Sequence, residues 1–160
     1  MPRRKTNSPT TDAMFKHILV ICVGNICRSP IGEYLLRHKL RHKPDLTIES
    51  AGIAALVGKP ADETAQDLLR EHGIDAGDHR ARQVTADMLA KADLILAMEE
   101  KHLKYLYDMA PQVRGKAFLM GKWLGDQPVP DPYRQQRPAF EHAFKLIDQA
   151  SDAWLKFLDK

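Results

Sequence analysis

Cysteine and long apolar runs are scarce in this sequence, and both shortages narrow what the protein can be. Only two cysteines, Cys22 and Cys27, occur among 160 residues, which argues against the disulfide framework of a small secreted domain. No apolar run approaches the roughly 20 residues of a membrane-spanning helix. The basic start of the chain, rich in Ser and Thr, lacks the apolar core of a secretory signal. We therefore expect a cytoplasmic protein without stable membrane association.

An excess of one charge is also absent. The 24 Lys and Arg residues nearly balance the 21 Asp and Glu residues, and the net charge is +3. The basic residues are spread along the chain, so neither a nucleic-acid-binding stripe nor a polybasic membrane anchor is predicted. The glycine patterns of nucleotide-binding loops do not occur. His38 and His42 lie one helical turn apart without an evident third ligand, so we predict no metal and no cofactor.

The length of the chain indicates one domain. A sequence of 160 residues with 44% hydrophobic content can bury one core and is too short to suggest two. Residues 1–13 are expected to form a flexible tail, and 14–160 to form the domain. Met14 precedes the first predicted strand and is a second candidate start of translation. We expect a monomer or a weak dimer.

Apolar runs and helical periodicity alternate along the chain. Strands are predicted over 17–22, 46–50, 93–98 and 116–120, and long helices over 30–42, 60–73, 99–109 and from 138 onward. Thr85 is predicted to cap a further short helix, and Gly73 to end the second long helix. This alternation predicts an α/β fold, a four-stranded parallel sheet with helices on both faces. Ligands of such sheets bind at the carboxyl ends of the strands.

The stretch CVGNICRSP, residues 22–30, connects the first strand to the first long helix. We predict Ser29 as the N-cap of that helix and Pro30 as its first residue. Backbone N–H groups at a helix start can bind an anion. Arg28 can bind two phosphate oxygens, and its charge favours the thiolate form of Cys22. One loop thus combines a nucleophile with an anion site.

The competing interpretation of Cys22 is a buried structural cysteine, since a Cys and an Arg six positions apart often occur by chance. The preceding strand, Gly24, Asn25 and the Ser-Pro helix start favour the catalytic interpretation. Asp131 lies between two prolines on a distant loop. From the sequence alone, a turn residue and a general acid are equally good interpretations of Asp131.

These motifs resemble the low-molecular-weight protein tyrosine phosphatases. The resemblance continues through ESAG at 49–52, HRARQ at 79–83, DLILAM at 93–98 and DPYR at 131–134, and covers about residues 15–158. Residues 55–59, 109–111 and 114–116 most resemble the Gram-negative branch that acts with capsule and exopolysaccharide tyrosine kinases. The resemblance implies metal-independent hydrolysis of phosphotyrosine through a phosphocysteine. It also implies a phosphotyrosine protein as partner, namely a membrane tyrosine kinase.

The resemblance assigns roles to individual residues. It implies Cys22 as nucleophile, Arg28 as phosphate ligand and Asp131 as general acid and base, with Ser29 donating to the Cys22 sulfur. The rest of the phosphate-binding loop would be Val23, Gly24, Asn25, Ile26 and Cys27. Asn25 would be supported by Ser50 and His79, and the substrate ring would lie between Leu56 and Tyr133. Arg134 stands where eukaryotic relatives carry a second Tyr, so their specificity is not carried over.

Other functions on this fold remain as alternatives. Arsenate reductases need resolving cysteines outside the loop, and both cysteines here are inside it. Protein arginine phosphatases place a Thr at the position of Ile26. A non-enzymatic phosphotyrosine-binding module would lose the nucleophile or the acid, and both are present. Cys27 is either a small buried packing residue or the partner of oxidised Cys22 in a reversible disulfide.

Overall fold

A parallel sheet lies at the centre of the computed structural model, which describes residues 15–160. Its strands are β1 His17–Cys22, β2 Thr47–Gly52, β3 Leu94–Ala97 and β4 Ala117–Leu119. Their order is β2-β1-β3-β4, and all neighbours are parallel. In β1 every residue after His17 is buried, as expected for a central strand covered on both faces. The predicted four-stranded parallel sheet is confirmed; the predicted flexible tail, 1–13, lies outside the described residues.

Helices cover both faces of the sheet, as predicted. They are α1 Arg28–Lys39, α2 Glu63–Glu71, α3 Ala86–Lys91, α4 Glu100–Met109 and α5 Arg137–Leu158, with 3₁₀ turns at Pro111–Gly115 and Lys122–Leu124. Alternate residues of β1 belong to two separate cores, because successive side chains of a strand point to opposite faces. Ile18 and Val20 pack with α1, α2 and α5. Leu19 and Ile21 pack with α3 and α4.

Two predicted helix starts are wrong. Helix α1 begins at Arg28 with Cys27 as its N-cap residue, so Ser29 lies inside the first turn and its hydroxyl is used elsewhere. Helix α2 begins at Glu63, three residues after Pro60, and the Asp62 side chain accepts a hydrogen bond from the Thr64 N–H at 2.8 Å. The backbone before Pro60 is instead paired with Ala81, through Gly58 N–H and Lys59 C=O. The hydrogen bonds of Gly58 and Lys59 with Ala81 therefore keep this segment out of the helix that its local sequence favours.

Two predicted caps are correct. The Thr85 hydroxyl accepts from the Met88 N–H at 3.2 Å at the start of α3. Gly73 follows α2 with φ of 76°, and its N–H donates to Arg70 C=O while Ile74 N–H donates to Leu69 C=O. This pair of bonds satisfies the last carbonyl groups of the helix and needs the left-handed conformation that glycine tolerates.

The carboxyl ends of the strands bring distant segments together. Cys22, the last residue of β1, pairs with Gly52, the last residue of β2. Val129 N–H donates to Met98 C=O directly after β3, at 3.0 Å, so the loop that carries Asp131 is attached to the same edge. The predicted site residues from four parts of the chain thus converge on one edge of the sheet.

His102 lies in the first turn of α4, beside the edge of the sheet where the strands end. Its Nδ1 accepts the Glu99 N–H at 3.1 Å, and the side chain is fully buried. Burial, together with the nearby positive charge of Arg28, lowers the pKa of His102 from 6.5 to about 4, although Glu99 partly opposes this shift. The imidazole is therefore neutral at pH 7 in the folded protein.

The close approach of β2 to the loop after β1 predicts an effect of Gly52→Ala. A Cβ at Gly52 would lie 2.3 Å from the Val23 carbonyl oxygen, so backbone must move to admit it. We expect a loss of about 1–3 kcal/mol in the free energy of unfolding, measured with urea. Gly115→Ala is the control, because a Cβ there meets nothing within 4 Å. Equal stability of the two variants would contradict the close approach.

The buried neutral His102 predicts that stability falls with acid. Its pKa is lower in the folded than in the unfolded chain, so between about pH 6.5 and 4 the unfolded chain binds the proton and the folded chain does not. From pH 7 to 5 this single group should remove about 2 kcal/mol from the free energy of unfolding. Urea unfolding of the parent and of His102→Gln at both pH values measures it. Between pH 7 and pH 5, the free energy of unfolding should fall by about 2 kcal/mol less in the variant than in the parent. Equal decreases in the two proteins would refute the prediction.

Candidate active site

Residues 22–29 run from the last residue of β1 into the first turn of α1, and Asn25 holds this segment in shape. This residue is fully buried and has a φ of 60°, a left-handed conformation that Asn tolerates better than most residues. Its side-chain Nδ2 donates to Ser29 Oγ at 2.8 Å and Ser50 Oγ at 2.9 Å. Its backbone carbonyl accepts from His79 Nε2 at 2.7 Å. The structure therefore brings Asn25, Ser50 and His79 together.

The Cys22 sulfur receives hydrogen bonds from Ser29. The two side chains are joined at 2.8 Å, between Sγ and Oγ, and the Ser29 N–H lies 3.4 Å from Sγ. Because Asn25 already donates to Ser29 Oγ, the hydroxyl hydrogen is free to point at the sulfur. Both contacts stabilise negative charge on Cys22. The hydroxyl therefore does not cap α1, and the predicted contact of Ser29 with the Cys22 sulfur is present.

Glu33, which the sequence analysis did not single out, ends this chain of hydrogen bonds. The Ser50 hydroxyl donates to Glu33 Oε1 at 2.5 Å, and His79 Nδ1 lies 3.8 Å from the same oxygen. Arg37 Nη2 pairs with Glu33 Oε2 at 2.5 Å. In the sequence, the one indication of a role for Glu33 was its position four residues after Ser29, which places both residues on the same buried side of α1.

Arg28 is almost completely buried, with 1% of its surface exposed. Its Nη1 donates to Glu99 Oε2 at 2.5 Å and to Val129 C=O at 2.7 Å. Its Nη2 lies 3.6 Å from Asp131 Oδ2. Burial alone would raise the pKa of Glu99, but the hydrogen bond and charge of Arg28 outweigh burial and lower it. Glu99 was missed by the sequence analysis, although it follows β3 at the edge where ligands are expected.

Asp131 lies at the rim, with 44% of its side chain exposed. Its Oδ1 accepts the Tyr133 N–H at 3.0 Å, which is the local turn contact expected of an Asp in such a loop. Its Oδ2 is directed toward Arg28. The two interpretations of Asp131 are therefore compatible, because one oxygen orders the turn while the other remains near the buried cation.

A hollow of about 120 Å³ opens above Cys22 and Arg28. Tyr133 and Leu56 stand at its rim, 39% and 40% exposed. Leu56 is tied to the loop because its N–H donates to Gly24 C=O at 3.0 Å. The remaining lining comes from Val23, Gly24, Ile26, Cys27, Ala54 and Asp131.

Cys27 is the second cysteine of the hollow and is 4% exposed. Burial raises the pKa of its thiol strongly, and the negative charges of Asp62, Cys22 and Asp131 add to the increase. Cys27 therefore stays a neutral thiol at pH 7. Ser29 donates to Cys22 alone of the two sulfurs among the described contacts, so the loop activates one cysteine.

This arrangement suits attack of a sulfur on an anionic tetrahedral centre. A thiol with two donors lies on the floor, a buried cation lies beside it, and a carboxyl group stands at the rim. Within residues 15–160, no group of three or more His, Cys, Asp or Glu side chains is arranged to hold a metal ion. In the same part of the chain, no helix has the length and apolar character needed to cross a bilayer.

Known proteins are similar to this chain in sequence and in fold. Etp of Escherichia coli, named a low molecular weight protein-tyrosine-phosphatase, is 48% identical over 146 residues, 91% of this chain and 97% of Etp. Wzb of Vibrio vulnificus, solved with benzylphosphonate, is 49% identical with a TM-score of 0.84 over 89% of this chain and 98% of Wzb. The tyrosine phosphatase AmsI of Erwinia amylovora is 46% identical with a TM-score of 0.85 over 91% and 95%.

A family profile described as low molecular weight phosphotyrosine protein phosphatase matches residues 17–160. The match includes the loop, both walls of the hollow and the Asp131 loop, so it spans the whole site described above. The family predicted from the sequence is thereby confirmed. The chain belongs to the low molecular weight phosphotyrosine protein phosphatase family.

Proposed function

We propose that the protein is a cysteine-dependent protein tyrosine phosphatase that uses Cys22, Arg28 and Asp131. The observation that carries the proposal is their convergence on one hollow, with Ser29 donating to Cys22 Sγ at 2.8 Å and Arg28 held 3.6 Å from Asp131. The relatives named protein-tyrosine-phosphatases, about 45–48% identical to this chain, support the same activity.

The first step transfers the phosphoryl group to sulfur. The Cys22 thiolate forms an S–P bond while the P–O bond to the tyrosine oxygen breaks. Asp131 gives its proton to that oxygen, which leaves as the neutral phenol. Glu99 and Val129 hold Nη1 of Arg28, which leaves the Nε and Nη2 edge for two equatorial phosphate oxygens.

The second step returns the enzyme to its starting state. Water attacks the phosphorus of phosphocysteine, and Asp131, now a carboxylate, accepts the proton of that water. The S–P bond breaks, inorganic phosphate leaves, and the electron pair returns to the Cys22 sulfur. Ser29 lowers the energy of this thiolate as it forms, because its hydroxyl and N–H both lie against Sγ.

The walls of the hollow favour an aryl phosphate. Leu56 and Tyr133 offer apolar surface to a phenyl ring, and ring stacking on Tyr133 adds to that preference. Ile26 places a branched apolar side chain where arginine phosphatases have a Thr, which disfavours a guanidinium. The Vibrio vulnificus relative was solved with benzylphosphonate, a phosphonate joined to an aromatic ring. These features favour phosphotyrosine over phosphoarginine.

The partner we propose is a membrane tyrosine kinase of exopolysaccharide or capsule production, and the proposed location is the cytoplasm. A phosphorylated Tyr-rich tail on that kinase would present its rings to the hollow. The relatives Etp, Wzb and AmsI support a tyrosine phosphatase role. Incubation with the phosphorylated kinase tail, with Cys22→Ser as control, tests the partner; unchanged phosphotyrosine content would reject it.

Hydrolysis of p-nitrophenyl phosphate tests the assigned roles. We expect turnover that EDTA does not inhibit, complete loss in Cys22→Ser, and a decrease in kcat of about a hundredfold or more in Asp131→Asn. Asp126→Asn is the matched control, because Asp126 is an exposed Asp of the same loop segment and lies outside the hollow. Phosphotyrosine, phosphoserine and phosphoarginine peptides define specificity. Full activity without Cys22, or preference for phosphoarginine, would overturn the proposal.

The neighbouring Cys27 predicts recovery from oxidation. Peroxide converts the Cys22 thiolate to a sulfenic acid. The Cys27 sulfur attacks the Cys22 sulfur while its proton passes to the departing hydroxyl group, so that a disulfide forms and water is released. Dithiothreitol then reduces the disulfide. We expect treatment with peroxide followed by dithiothreitol to restore most activity in the parent and little in Cys27→Ser. Equal recovery in both proteins would leave Cys27 as a packing residue.

A further inference from the structure

His102 carries a buried donor that the chemistry described so far does not use. Its Nδ1 accepts the Glu99 N–H, and a backbone N–H can only donate, so the proton of the neutral ring is on Nε2. The ring is fully buried, and among residues 15–160 Nε2 has no hydrogen-bond partner. A buried donor without an acceptor lowers the stability of the folded protein, so we looked for an acceptor that it could serve during the reaction.

The nearest candidate acceptor is the carboxylate that holds Arg28. His102 Nε2 lies 3.8 Å from Glu99 Oε2, and the same oxygen accepts from Arg28 Nη1 at 2.5 Å. His102 therefore contacts Glu99 at two places, at its backbone N–H and beside its carboxylate. A displacement of less than about 1 Å would convert the second contact into a hydrogen bond.

We infer that His102 is a positioning residue, which orients Arg28 for phosphate by fixing Glu99 at both its backbone and its carboxylate. When phosphate in the hollow draws Arg28 forward, Glu99 Oε2 loses part of its bond to Nη1, and His102 Nε2–H replaces it. The carboxylate thus keeps a donor throughout the reaction. The inference rests on the proposed function, because it assigns Arg28 to the phosphate.

The charge around His102 fits this role. Arg28 and Lys101 are the cations near the ring, and Glu99 and Asp131 are the anions. A second positive charge beside Arg28 would compete with it for Glu99, and a protonated Nδ1 could no longer accept the Glu99 N–H. Burial and the charge of Arg28 keep the pKa of His102 near 4, so the ring remains a neutral donor at the pH of the cell.

Two substitutions separate positioning from packing. His102→Leu removes both the acceptor and the donor, whereas His102→Gln keeps an amide oxygen for the Glu99 N–H and an amide hydrogen for the carboxylate. Gln is an established partner of the N-cap N–H at this third helical position. Leu106→Ala on the same helix is the control, because Leu106 is buried in the core and lies outside the hollow.

The readouts are kcat for p-nitrophenyl phosphate and the inhibition constant of inorganic phosphate. We expect His102→Leu to lower kcat about tenfold or more and to raise the phosphate constant about fivefold, since small misplacements of a catalytic group are costly. His102→Gln should recover to within about threefold of the parent. Leu106→Ala should lose stability while both constants stay within about twofold. Equal behaviour of His102→Leu and Leu106→Ala would overturn the positioning role.

A spectroscopic measurement on the full chain keeps the inference testable if His102→Leu does not fold. In a Cys22→Ser protein, nitrogen-15 spectra of the histidine rings follow the Nε2–H of His102 as inorganic phosphate is added. A downfield shift of that proton is the expected sign of the new hydrogen bond, and an unmoved resonance at saturating phosphate overturns the inference. Absence of hydrolysis by the parent would instead overturn the proposed function alone, so the two failures are distinguishable.

Discussion

The burial of one guanidinium is the constraint on which the site depends. Arg28 is 1% exposed, and a charge removed from water is tolerated only where it is paired and hydrogen-bonded. Glu99 supplies the opposite charge and Val129 supplies a carbonyl. These two residues follow β3 and β4, whereas Arg28 follows β1. The cation therefore stays in place only when three strands are assembled, which couples the fold directly to the anion site.

Hydrogen-bond direction explains why the loop needs its particular polar residues. Asn25 donates to both Ser29 and Ser50, so each hydroxyl must send its own hydrogen elsewhere. Ser50 sends it to Glu33, and Ser29 is left to send it to Cys22. An acceptor in place of the Asn25 amide nitrogen would reverse this order and turn the Ser29 hydrogen away from sulfur. The buried loop thus delivers donors to Cys22 through satisfied bonds rather than through exposed charge.

The sequence predicted the sheet, the positions of its strands and the approach of the Asp131 loop to residues 22–29, because these follow from local hydrophobic patterns and from where each strand ends. It did not predict features that depend on a hydrogen-bond partner distant in the sequence. The local pattern favoured Ser29 as an N-cap, whereas its contact with the Cys22 sulfur, which the structure shows, was implied only by the family resemblance. Pro60 was predicted to start α2 because the pairing of Gly58 and Lys59 with Ala81 is invisible in the local sequence. Glu33 and His102 look like ordinary helix residues until the fold buries them. Glu99 looks like an ordinary residue at a helix start until the fold pairs it with Arg28.

The residues at the floor of the hollow are buried, whereas those at its rim are partly exposed. This difference separates the residues of catalysis from those of substrate choice. Asn25, Ser29 and Arg28 are buried and mutually dependent, so a change in one leaves an unpaired polar group among the others. Leu56 and Tyr133 are about two-fifths exposed, so water can take the place of contacts that a substitution at either residue removes. Beside the rim, the Arg134 guanidinium lies 5.1 Å from the centre of the Tyr133 ring, which is a cation–π contact. Substitutions at the rim can therefore alter which phosphorylated ring enters while the buried floor, and with it the chemistry, stays intact.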